Sequence, residues 1–181
     1  MVSADSFDQF TVYWKTLQAA ADGPLPVRSQ FEPAKILALL PYVYLLEHKS
    51  PEEMMVRLMG TALDEISPVP ITGRNYFDVC PPEDVTFYRE INRYLRALPC
   101  ASLVVRDITF DNGKTYTLSS LGYPMADEDG MLKYSIGLLL PCRQFKSDEK
   151  DNGGVARMVL RDLTYIDIGF GVPEQRAEAS G

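Results

Sequence analysis

Hydrophobic positions recur first at helical and then at strand spacing along this chain. Phe7, Phe10, Trp14, Leu17 and Ala21 follow one another at steps of three and four, which sets them on one stripe of an amphipathic helix. Ser3 or Ser6 can cap its start, and Gly23-Pro24 ends it. Pro24 and Pro26 predict an extended connector over residues 23–29, and Pro33 opens a short predicted helix that stops at Pro41. Residues 42–48 and 54–59 are rich in aromatic, branched and other apolar side chains and flank the polar turn Lys49-Ser50-Pro51-Glu52, the pattern of two paired strands.

Thr61-Ala62-Leu63-Asp64 reads as a capping box opening a short helix, after which prolines and Gly73 predict a loop to residue 74. A longer helix is predicted from Pro81-Pro82-Glu83-Asp84 to about Leu98, with Tyr88, Ile91, Leu95 and Leu98 on its buried stripe. Residues 103–111 and 114–125 then flank Asn112-Gly113, a strong two-residue hairpin signal. Asp127-Glu128-Asp129-Gly130 is a second turn before a last strand over 132–140. Five strands split two and three by helices predict an α+β fold with an antiparallel sheet. The expected division is residues 1–41 for flanking helices and connector, 42–145 for the core, 146–154 for a charged linker and 155–181 for an extension and tail. Residues 155–170 are apolar enough to pack or pair.

Charge and cysteine content narrow the setting. Net charge is −7 and the isoelectric point about 4.7, with no basic run interleaved with aromatics, which argues against nucleic acid or an anionic membrane as partner. The apolar run 36–46 is broken by Pro41 and is too short to span a bilayer, and no signal peptide pattern opens the chain. Cys80, Cys100 and Cys142 form no CxxC pair, so neither a disulfide framework nor a thiolate zinc site is expected, and a cytoplasmic location is.

Several short stretches carry a family resemblance. They are Tyr13-Trp14, Pro26-Val27-Arg28-Ser29, Phe31-Glu32-Pro33, Leu39-Leu40-Pro41, Arg57-Leu58-Met59-Gly60-Thr61, Thr72-Gly73-Arg74 and the run from Tyr165 to Pro173. In this order they resemble an alphaproteobacterial PAS-like family, short stand-alone proteins with an N-terminal Tyr-Trp helix. The resemblance implies a five-stranded antiparallel sheet in order 2-1-5-4-3, helices over one face and an N-terminal flanking helix. It also implies a regulatory module that binds a small molecule or a signalling protein, and it supplies no cofactor motif.

Candidate chemistry is sparse. No GxSxG, HExxH, P-loop or GxGxxG pattern occurs, so no catalytic residue is expected. His48 is the single histidine and is read as a surface residue beside a turn, which disfavours haem; Cys80 lies in the wrong context for a flavin photosensor, which disfavours flavin. Asp64-Glu65 and Glu83-Asp84 are acidic pairs at helix starts, where the helix dipole explains them. No cofactor and no metal site are expected.

Strand alternation sets Tyr116 and Leu118 on one face, and Tyr134, Ile136 and Leu138 on one face of the last strand. With Phe77, Tyr88, Ile91 and Leu95 these form a candidate ligand pocket, open or filled. Phe7, Phe10 and Trp14 either cover the sheet within the chain or form an interface between chains. The expected function is a non-catalytic regulatory domain for a small ligand, a signalling partner or both; the alternative is a structural or dimerising module with a filled core.

Overall fold

In the computed structural model the described residues are 5–65, 67, 69–141 and 153–173. Helix α1 (Asp5–Ala19) is followed by short 3-10 turns at Arg28–Gln30, Pro33–Ile36 and Leu40–Tyr42. Where one short helix is predicted at residues 33–40, one turn forms at Pro33–Ile36 and another at Leu40–Tyr42, with a proline at the first position of the one and the second of the other, which fixes a φ angle but cannot propagate a helix. Strands β1 (Val43–Ser50) and β2 (Glu53–Met59) form the first hairpin, and α2 (Thr61–Asp64) is one turn long. Helix α3 (Val85–Ala97) follows a 3-10 turn at Pro82–Asp84. Strands β3 (Ala101–Phe110), β4 (Thr115–Ala126) and β5 (Leu132–Pro141) form the meander, and β6 (Val155–Ile166) completes the sheet.

The six strands lie in order β2-β1-β5-β4-β3-β6, every neighbouring pair antiparallel. The 2-1-5-4-3 order is therefore present, with β6 added beside β3 by the apolar stretch after residue 154. Gly113 at φ 79° makes the β3–β4 turn, where a side chain would be strained. At the β4–β5 turn, Asp127 Oδ1 accepts from the amides of Asp129 and Met131. The opposite edge, β2, is partly covered: the Val56 amide donates to the Arg74 carbonyl, and Gly73 donates back to Val56.

The sheet has two unlike faces. On the outer face α1 packs over Val43, Leu45, Leu121, Tyr123, Met125, Ile136 and Leu138. Trp14 is 1% exposed, stacks on Tyr123 at 4.7 Å and donates its indole N–H to the Pro124 carbonyl at 3.1 Å. Phe10 and Trp14, candidates for an interface between chains, are thus buried within one chain, while Phe7 packs half-buried at the margin. The inner face is covered by α3, α2 and the 3-10 turn at Tyr76–Asp78, over two smaller apolar clusters.

Candidate functional site

The inner face of the central strands is built from small residues. Gly137 on β5 and Gly122 on β4 lie beneath the ring of Tyr44, so close that a Cβ on Gly137 would fall 2.2 Å from Tyr44 Cζ. The Ser120 hydroxyl donates to Tyr44 Oη at 2.9 Å. The Tyr44 ring fills the space above these glycines, and neither glycine lines the cavity on this side of the sheet. That cavity has two lobes of about 120 and 100 Å³. Met59, Tyr76, Arg106 and Leu139 line both lobes and so stand between them.

The first lobe is closed by Leu63, Ile108, Phe110, Leu118, Cys80 and Met158, among others. The second is closed by Tyr44, Leu46, Met54, Tyr88, Ile91, Leu95, Ser102, Val104 and Ser120. Polar groups in this setting are few. The Arg106 guanidinium donates from Nη1 to Tyr88 Oη at 3.0 Å and lies over the Tyr88 ring, 5.9 Å from its centroid. Among the described residues its buried Nε has no hydrogen-bond partner. Burial pushes the phenols of Tyr44 and Tyr76 up in pKa, so both stay neutral. Burial, followed by the Asp84 carboxylate, pushes the Cys80 thiol up to about 12, so it is an unreactive thiol at neutral pH.

A separate polar network lies beneath α3 without lining either lobe. His48 is only 4% exposed, not the surface residue expected from its place beside a turn, because the side chain of this inner-face position turns under α3. Its Nδ1 meets Asn92 Oδ1 at 2.6 Å and its Nε2 meets Ser135 Oγ at 2.7 Å. Asn92 is fully buried and gives its amide N–H groups to the carbonyls of Ser50 and Pro51, at 2.8 and 3.2 Å. That fixes the tautomer by donor matching: Asn92 Oδ1 accepts from Nδ1–H, and Nε2 accepts from Ser135. Desolvation lowers the His48 pKa to about 4, the Asn92 hydrogen bond working weakly against it. The network ties α3 to β1, to β5 and to the hairpin turn.

The predicted pocket residues divide between the two faces. Tyr88, Ile91 and Leu95 line one lobe and Leu118 the other. Phe77 and Tyr116 pack in the inner clusters without bordering a lobe. Ile136 and Leu138 belong to the outer cluster with Tyr134 packed against it, so these three do not line the pocket. The cause is register. A bulge between Met125 and Ala126 makes Leu121 face Leu138 and Tyr123 face Ile136, so even positions of β4 oppose odd positions of β5. Leu139, Gly137 and Ser135 take the inner side instead.

Tyr44, Met59, Tyr76, Arg106 and Leu139 were not foreseen as lining residues. Gly122 and Gly137, two glycines within predicted strands, were the available signal, since glycine there marks close approach by another group. Cys142 lies outside the described residues.

The chain belongs to the PAS domain family, whose model matches residues 2–140 and so takes in α1 as well as the first five strands. No curated protein matches at a significant level. Among solved structures it is similar to a LOV protein of Rhodobacter sphaeroides, at 15% identity and TM-score 0.45, covering 62% of this chain and 67% of that one. It is also similar to VqmA of Vibrio cholerae, at 16% identity and TM-score 0.48, covering 61% of this chain and 50% of that one. A second VqmA structure, bound to DPO, aligns at 16% identity and TM-score 0.47 over 64% of this chain and 59% of that one. The alignments thus span only about half to three-fifths of VqmA.

Proposed function

We propose that this chain is a regulatory PAS domain that binds a small molecule between the sheet and α3 and passes the bound state to a signalling protein, without catalysis of its own. The observation that supports this reading is the two-lobed cavity, lined by a guanidinium, three phenols and three serines among the described residues. Natural interiors pack with few voids, so a cavity left between the sheet and its covering elements invites an occupant. The route outward is the His48–Asn92 network, because a ligand that moves α3 must also load β1, β5 and the hairpin turn. A cytoplasmic site of action and a protein or second-copy partner complete the proposal.

Flavin and haem fit this site poorly. Cofactor pockets commonly run to roughly 300–1,000 Å³, and each lobe here is well below that. Both ring nitrogens of His48 are engaged and it borders neither lobe, which weighs against axial ligation. Ser135, His48 and Asn92 stand in the order of a hydrolytic triad, yet Ser135 borders neither lobe and a histidine with pKa about 4 is a weak base. A structural role accounts for all three. The test is a thermal-shift screen of the purified chain against a broad metabolite library: stabilisation by a small compound is the expected result. Uniformly unchanged melting would favour a filled structural or dimerising module.

A further inference from the structure

The geometry points to a ligand class: we infer that the cavity takes a small organic monoacid, its carboxylate paired with Arg106 and its apolar body in one lobe. This rests on the reading of the cavity as a ligand site. Arginine stays protonated in any protein environment and presents five N–H donors in a planar fork. Among the described residues Arg106 donates to the Tyr88 hydroxyl, forms no ion pair, and leaves its buried Nε unsatisfied. Asp84 is near enough for Arg106 to oppose the rise that burial and Glu83 impose on its carboxyl, yet it makes no ion pair with it and borders neither lobe.

Arg106 is half-buried as a whole, with its Nε sealed from solvent. A partly desolvated cation without a counter-charge is costly, and the Tyr44 and Tyr76 phenols remain neutral, so neither supplies one. A carboxylate entering the cavity would provide acceptors in the planar geometry the fork demands. Charge matching then limits the ligand. Among the described residues Arg106 is the one lysine or arginine lining either lobe, so a phosphoryl dianion would arrive with charge left over. Size limits it further: a dry cavity of about 150 Å³ accommodates benzene, and lobes of about 120 and 100 Å³ suit a single ring or a short chain. The Ser102 and Ser120 hydroxyls in the second lobe can take a further polar substituent.

The experiment compares benzoate and hexanoate with benzamide and hexanamide, and with inorganic phosphate, as additives in thermal melts and calorimetric titrations of the full chain. The acids are expected to raise the melting temperature by several degrees and to bind at least about tenfold more tightly than their amides, the usual margin of a charge-assisted hydrogen bond. Arg106→Met is expected to melt no lower than the parent while losing the preference for acids. Arg106→Gln, which keeps a donor for Tyr88, gives the same readout should the methionine variant fail to fold. Amides binding as well as acids would overturn the acid assignment and leave the cavity reading standing. Phosphate alone acting would overturn it in favour of a phosphoryl ligand. No response to any of these compounds would count against both, and folded variants that keep the acid preference would remove Arg106 from the site.

Discussion

The two faces of one sheet have been finished differently. On the outer face a helix with Phe10, Trp14 and Leu17 meets large side chains, Tyr123, Ile136 and Leu138, and the aromatic rings interlock. On the inner face the same strands present Gly122, Gly137, Ser120 and Ser135, and two lobes lie on this side of the sheet, one of them bordered by α3. β5 shows the contrast within one strand: Leu138 belongs to a packed core and Leu139, its neighbour, to a cavity wall. The lesson is that a packed core and a cavity can lie on opposite sides of a single sheet, set by the side chains at alternating positions.

Removing the anchor of the packed face should have the largest effect. Trp14→Ala deletes the ring stacked on Tyr123 and its bond to Pro124, and is expected to cost about 3–5 kcal/mol in urea denaturation. A cost below about 1 kcal/mol would show that α1 does not seal this face. The two neighbours on β5 then discriminate the faces directly. Leu138→Phe overfills a closed core and should destabilise by about 1–3 kcal/mol, whereas Leu139→Phe fills free space and should be neutral or stabilising. Equal penalties would erase the distinction.

The smallest effect concerns pH. The unfolded chain protonates His48 near its ordinary value of 6.5, while the folded chain resists until about pH 4. Its contribution is therefore full above pH 6.5 and is lost as pH falls toward 4, at no more than about 1.4 kcal/mol per pH unit. Between pH 6.5 and 5.5 the loss should approach about 1 kcal/mol. His48→Gln should flatten this part of the stability profile; a wild-type curve already flat there would show that His48 is free to protonate in the folded state.

Much of the fold was legible because local signals agreed. The Phe7–Leu17 stripe, Asn112-Gly113 and the Tyr88–Leu95 stripe each specified an element that formed. The site was legible only in part. Tyr88, Ile91, Leu95 and Leu118, picked out by periodicity, line the lobes, and each lies on a regular helix or strand. Tyr134, Ile136 and Leu138 were assigned to the wrong face because alternation determines which residues share a face, not which face it is. That choice depends on a single-residue bulge at Met125/Ala126, which no propensity announces. His48 and Arg106 were missed as interior groups because their burial is set by tertiary packing, Asn92 reaching across from α3 and Tyr88 capping the guanidinium.

The most direct measurement is a methyl NMR titration of the isotopically labelled chain with benzoate and benzamide. The methyls of Met59, Leu118, Ile108 and Leu139 should shift on binding, while those of Leu121, Ile136 and Leu138 stay in place. Shifts centred on the outer face, or none on the inner face with either compound, would contradict the claim that the inner side of this sheet is the receiving side.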